Sequence, residues 1–301
     1  MTNNIEKNEM VVQESHESVA HVPTLYAEPI AHIGSFTITN SLFTSWIVVI
    51  FIILISIKIR FSLKQVPSGF QNLFESIIEG AEKLADQVTG DRKITNKAFP
   101  IVFTVFTIVL LNNWIGIMPF GGFGLVEMTE HGKAFIPIIR SGTADINGTL
   151  PLAILSVIGA NLFGIFSIGL WKTTNKYVNL KALSEIFKKV RKEPSILISA
   201  PIMFFVGILE LVGELAKVAS LSFRLFGNIF AGEVLLASMG AILAYLLPTP
   251  FLLLELFIGV IQAFIFAILT LVYYTIASHD HNESHDSKEE KGVKNVVLEA
   301  H

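Results

Sequence analysis

Residues 195 to 247 stay apolar for about 50 positions, and as one straight helix this tract would run about 80 Å at 1.5 Å per residue. A bilayer's hydrocarbon core is about 30 Å thick and takes roughly 20 residues per span. One perpendicular span cannot hold the tract, so it is strongly tilted, broken, or partly outside the hydrocarbon, and Pro248 and Pro250 mark its end. The same tract carries Glu210, Glu214, Lys217, Arg224, Asn228 and Glu233. Near the bilayer centre each charge costs about 2.5 to 3.5 kcal/mol, so the set cannot all face lipid. Its members face protein, water or one another.

Composition agrees with a membrane protein: 52% of the residues are hydrophobic, 16% are charged, and the mean hydropathy is +0.61. The first span is read at about 42 to 59, with Trp46 near one interface and Lys58, Arg60 and Lys64 at its exit. From about 68 to 89 the apolar residues Phe70, Leu73, Phe74, Ile77, Ile78, Ala81, Leu84, Ala85 and Val88 recur with helical spacing, opposite Gln71, Glu75, Glu79, Glu82, Lys83 and Asp86. That helix lies on the membrane surface or against a partner. Further spans are expected at about 98 to 118, 150 to 171, 195 to 247 and 251 to 277, with a Gly-rich loop over about 119 to 149. The fold class is thus an all-α polytopic membrane protein with about five crossing helices and one interfacial amphipathic helix in a single domain, 41 to 278. A hydrophilic tail, 1 to 40, precedes it and a second, 279 to 301, follows.

Lys172, Lys176, Lys181, Lys188, Lys189, Arg191 and Lys192 fall between the third and fourth spans, on the side already marked basic by Lys58 to Lys97. The positive-inside bias makes that side cytoplasmic, which puts the N-terminus outside and the C-terminus in the cytoplasm. The first 20 residues are acidic and polar and do not read as a signal peptide. With no cysteine there is no disulfide framework or thiolate metal site, and a net charge of -3 argues against nucleic acid. His279, His281 and His285 sit in an acidic tail and read as solvated; no metal or cofactor is expected.

At 100° per residue Glu210, Lys217 and Arg224 lie on one stripe, which Asn228 continues. Glu233 is nine positions beyond Arg224, on the opposite side of an ideal helix. On the last span Glu255, Gln262 and Tyr273 share a stripe. Carboxylates, amides and a phenol in line can give, take or order water inside a low-dielectric slab, as a hydrated proton path requires. Glu210, Glu214 and Lys217 read equally well as an interfacial ion-pair cluster, and Asn112, Asn113 and Asn161 as interhelical hydrogen-bond glue. Arg224 has no such ordinary reading.

The stretch SFRLFGNIFAGE at 222 to 233, followed by VIQAFIFAILTLVYYTIA, closely resembles subunit a of the F-type ATP synthase membrane sector. NNWIGIMP at 112 to 119 and TADINGTLPLAI at 143 to 154 are similar to other stretches of that family, so the resemblance runs from about 40 to 278. It implies an all-helical stator whose last two helices form a long tilted hairpin against the rotating c-subunit ring. It implies partners in the c ring, the b-subunit peripheral stalk and the rest of the ATP synthase. It further implies that Arg224 is the essential stator arginine, that Asn228, Glu233, Glu255 and Gln262 belong to two ion half-channels, and that Glu210 and Lys217 are polar positions earlier on the same helix. Gln262 would then lie near Arg224. Some family members hold one glutamate and one histidine where this chain has Glu233 and Glu255, so no histidine relay is available here. Were the two carboxylates close, their titration would be coupled.

The expected function is therefore the stator role: ion half-channels and a fixed cation that couple proton translocation to ring rotation and ATP synthesis. Glu233 is expected to be the proton-exchanging member of its motif. The carried ion is a proton or sodium, and the expected site is a bacterial inner membrane. No GxxxxGK[ST] loop occurs, so ATP chemistry belongs to partner subunits and this chain is not itself an enzyme. The rival is a stand-alone secondary transporter in which Arg224 binds an anionic substrate; it predicts repeat-related halves, and no repeat is evident.

Overall fold

A computed structural model of the chain describes residues 24–64, 69–118, 124–129, 132–169, 196–243 and 246–278. The basic stretch 172 to 192, the first 23 residues and the tail from 279 lie outside the described residues. In chain order the elements are β1 (Pro29–Ile33), β2 (Phe36–Thr39), α1 (Asn40–Ser62), α2 (Phe70–Thr89), α3 (Arg92–Ile117), β3 (Gly124–Thr129), β4 (Gly132–Pro137), α4 (Ile146–Ile168), α5 (Ile196–Ile242) and α6 (Pro248–Ser278). Five of these helices are long and apolar enough to cross a membrane, and α2 is not among them.

The helices begin earlier than their apolar runs because polar caps extend them. Thr39 Oγ1 accepts from Leu42 N at the start of α1, Asp91 Oδ1 from Lys93 N at the start of α3, and Asp145 Oδ1 from Asn147 N at the start of α4. The long apolar tract forms one helix of 47 residues, α5, about 70 Å at 1.5 Å per residue, so it is not broken between Ile196 and Ile242. The helix α2 stops at Gly90, whose φ of 66° is left-handed and whose N–H bonds to Asp86 O at 2.9 Å. It presents Leu73, Ile77 and Leu84 outward, while Ala85 is buried and Val88 packs beside it.

Two stretches depart from expectation. The end of the hydrophilic tail forms the antiparallel β1–β2 hairpin, and the Gly-rich loop contains the antiparallel β3–β4 hairpin followed by a buried run, Arg140 to Asp145. Both were invisible to hydropathy because they are short and mixed in polarity.

The chain forms two compact units. One holds β1–β2, α1 to Phe51, α3 from Leu111, the β3–β4 region to Gly148, α5 from Phe226 and α6 to Val260. Asparagines tie it internally: Asn113 Nδ2 donates to Gly259 O at 3.1 Å, Thr143 Oγ1 donates to Asn113 Oδ1 at 2.6 Å, and Ser45 Oγ donates to Asn112 Oδ1 at 3.3 Å. This is the hydrogen-bond glue that Asn112 and Asn113 suggested. The other unit holds the rest of α1, α2, α3 to Leu110, α4 from Thr149, α5 to Leu225 and α6 from Ile261. Its core packs Ala98, Val102, Ala160, Ala267, Leu271 and Tyr274 in one cluster and Val105, Val109, Ala153, Leu221, Leu225, Ala263 and Phe266 in another. Small residues let the helices approach. A Cβ on Gly164 would stand 2.6 Å from Ala277 O, and one on Gly159 would stand 2.4 Å from the Tyr274 hydroxyl.

Candidate functional site

In the unit containing the C-terminal half of α5, the prominent feature is an ion pair between Arg140 and Glu233. Arg140 Nη2 lies 2.8 Å from Glu233 Oε2, and Nε donates to both carboxylate oxygens at 3.1 and 3.2 Å. The rest of the guanidinium is filled by main chain: Nη2 donates to Thr24 O at 2.7 Å and Nη1 to Tyr26 O at 3.0 Å, with Thr24 Oγ1 at 3.5 Å. The Arg140 backbone N–H is taken by Thr44 Oγ1 at 3.2 Å. The side chain of Arg140 is 2% exposed and that of Glu233 is 21% exposed.

Beside this pair stands Glu255 of α6, 6% exposed. Its carboxylate packs onto Gly232: a Cβ at that glycine would stand 2.3 to 2.4 Å from Cδ and both oxygens. Oε1 is buried without a hydrogen-bond partner among the described residues. Glu233 is close enough to act on it electrostatically. The two carboxylates are therefore neighbours in different surroundings, one gripped by a guanidinium and one against bare backbone. Asn228 is exposed on α5, one turn before Gly232.

In the other unit Arg224 is exposed on α5 and makes no hydrogen bond or ion pair among the described residues. Lys217 Nζ bonds to Glu214 Oε1 at 2.7 Å and lies 5.3 Å from the centroid of the Tyr273 ring. Asn161 Nδ2 donates to Glu214 Oε2 at 3.2 Å. Tyr273 is within electrostatic reach of Arg224 and Glu214. The ion-pair reading of Glu214 and Lys217 is thus realised, and Asn161 acts as glue. Glu210 is half-buried one turn before Glu214. Gln262 is buried on α6, 3% exposed.

Compared with known proteins, residues 42–275 match the family described as ATP synthase A chain. The chain belongs to the ATP synthase subunit a family. Curated relatives agree along most of their length. The chain is 32% identical over 79% of itself and 73% of the relative to "ATP synthase subunit a, sodium ion specific" of Propionigenium modestum. It is 33% identical to ATP synthase subunit a of Campylobacter jejuni, over 75% of this chain and 84% of that one. It is 31% identical to that of Mycobacterium bovis, over 76% and 82%. As a subunit a, the chain is a multi-pass, ion-translocating component of the ATP synthase membrane sector and is not itself catalytic. Its partner is the rest of the ATP synthase, and the stand-alone transporter reading falls with that membership.

Sequence reasoning missed Arg140. It falls in the Gly-rich loop over about 119 to 149, where an arginine costs nothing by hydropathy. The signal that could have found it is its place in RSGTADIN, a run whose polar residues directly precede a span. Gly232 was likewise passed over, although a glycine beside a membrane carboxylate marks a place where another group comes close.

Proposed function

We propose that this subunit a provides two ion half-channels and that Arg224 is the fixed charge separating them. The observation that carries the reading is an arginine exposed on a helix more than long enough to cross the membrane, with no ion pair among the described residues. A permanent guanidinium on such a surface costs several kcal/mol unless a partner outside the chain supplies the counter-charge, so about 2.5 kcal/mol or more favours an acidic partner at that face. The carboxylates of a c-subunit ring fit that requirement. Because the guanidinium stays protonated, it favours the ionised carboxylate as it passes without becoming a carrier itself, and it opposes direct leakage between the channels.

Glu233 and Glu255 line the access path from one side, with Asn228 at its edge. Lys217, Glu214, Tyr273, Glu210 and Gln262 provide the polar lining of the other region. A b-subunit stalk anchors the stator, and the chain lies in a bacterial inner membrane with its N-terminus outside and its C-terminus cytoplasmic. The carried ion is the proton, with sodium as the alternative that the name of one relative brings to mind.

The test is ATP-driven quenching of a pH dye in inverted vesicles carrying the assembled complex, with and without sodium, for the native chain and Arg224→Ala. Arg224→Ala is expected to abolish quenching while the complex remains assembled. Full quenching by Arg224→Ala overturns the reading. Quenching that disappears in sodium reassigns the ion.

A further inference from the structure

Arg140 is held by more acceptors than any other cation among the described residues, and three of them come from a segment that hydropathy assigns to no span. A 2% exposed guanidinium must be neutralised and saturated, and here Glu233 supplies the charge while Thr24 and Tyr26 supply carbonyls. For Glu233 to take up and release a proton it would have to part from a permanent cation fixed on its other side by main chain. Glu255 has no such tether among the described residues. Its carboxylate lies on Gly232, with Oε1 unpartnered.

We propose that Arg140 is a second fixed cation of the ion path, a positioning residue that locks Glu233 as its counter-ion, leaves proton exchange to Glu255, and is itself latched by the segment Thr24–Tyr26. The proposal rests on the half-channel reading above and reverses the roles expected of the two carboxylates. It makes the segment before β1 part of the wall of the path. Asn40 anchors that segment: Glu28 N donates to Asn40 Oδ1 at 3.2 Å, and Asn40 N donates to Glu28 O at 3.0 Å.

The experiment measures ATP-driven proton pumping by the assembled complex in inverted vesicles, with subunit a and c-ring content followed by immunoblot. Glu255→Gln is expected to lower pumping about 10-fold or more and Glu233→Gln no more than about 3-fold. Arg140→Gln, which strands a carboxylate, is expected to cost about 10-fold, and Arg140→Gln/Glu233→Gln to return to within about 2-fold of Glu233→Gln alone. Arg140→Lys should recover part of the loss. Deleting residues 2–23 should leave pumping unchanged, whereas deleting 2–27 should reduce it several-fold at equal subunit content. Additive losses in the double variant, or Glu233→Gln inactive beside an active Glu255→Gln, overturn the proposal. So does full activity without residues 2–27. If Arg224→Ala is inactive while every Arg140 variant pumps like the native complex, the latch fails and the half-channel reading stands; if Arg224→Ala pumps normally, that reading fails first.

Discussion

Arg140 and Arg224 are the same side chain in opposite surroundings. Arg140 is 2% exposed, and its guanidinium is filled by a carboxylate and two main-chain carbonyls. Arg224 is exposed on the side of α5, near Tyr273, and has no hydrogen bond or ion pair among the described residues. A cation whose needs are met internally stabilises and positions its neighbours. One whose needs are not met states a requirement for a partner. The difference lies in what surrounds each arginine, and only the second kind is betrayed by sequence.

The largest expected effect tests the unmatched cation. Arg224→Ala should reduce ATP synthesis driven by an imposed proton gradient by about 100-fold or more, about 2.7 kcal/mol in the barrier. Arg224→Lys should fall between, since it keeps the charge and loses the planar, always-protonated group. A lysine variant with native rates would mean that charge alone suffices and that the contrast between the arginines is one of position, not chemistry.

The sequence made Arg224 legible because an arginine stands out in an apolar tract, and it made the spans legible because each needs a run of apolar residues. Their starts were less legible. Thr39, Asp91 and Asp145 extend α1, α3 and α4 into polar sequence through side-chain caps that hydropathy does not weigh. The two hairpins escaped because strands of four to six residues carry no clear period. Arg140 escaped for a deeper reason. Its partners come from residues 24 to 26 and from 233; its place in RSGTADIN could mark it as worth a look, but contacts across more than 90 positions do not show in a single chain.

Gly232 offers a smaller but more local test. A Cβ there would meet the Glu255 carboxylate at 2.3 Å, so Gly232→Ala must push the carboxylate aside. Because the obstructing group is the end of a side chain, the subunit should still assemble. Proton pumping should fall about 10-fold, about 1.4 kcal/mol in the barrier, if the free carboxylate is the exchanging one. Native pumping by Gly232→Ala would show that the position of Glu255 does not matter to transport. Gly164→Ala is the matched structural control: its Cβ would meet backbone, Ala277 O at 2.6 Å, and overpacking of this kind costs about 1 to 3 kcal/mol. It should lower the amount of assembled subunit and leave the rate per complex nearly unchanged.

The smallest effect is expected where a cation has both a partner and water. Lys83 Nζ lies 2.8 Å from Glu79 Oε1 on α2, with side chains 67% and 66% exposed. The Lys83 hydrogen bond and charge hold the Glu79 carboxyl below its ordinary range. A carboxyl depressed on folding adds stability above its unfolded value and loses it as pH falls through the folded one. In water, screening leaves little of that contribution. Lys83→Ala should therefore leave both pumping and the thermal midpoint of the detergent-solubilised complex unchanged at neutral pH. A midpoint that drops at neutral pH, with the difference vanishing once the carboxyl is protonated, would mean that this face of α2 is shielded from water by a partner. Lys83 would then belong with Arg140, among cations whose surroundings decide their worth, and the amphipathic helix would be an interface and not a face turned to solvent.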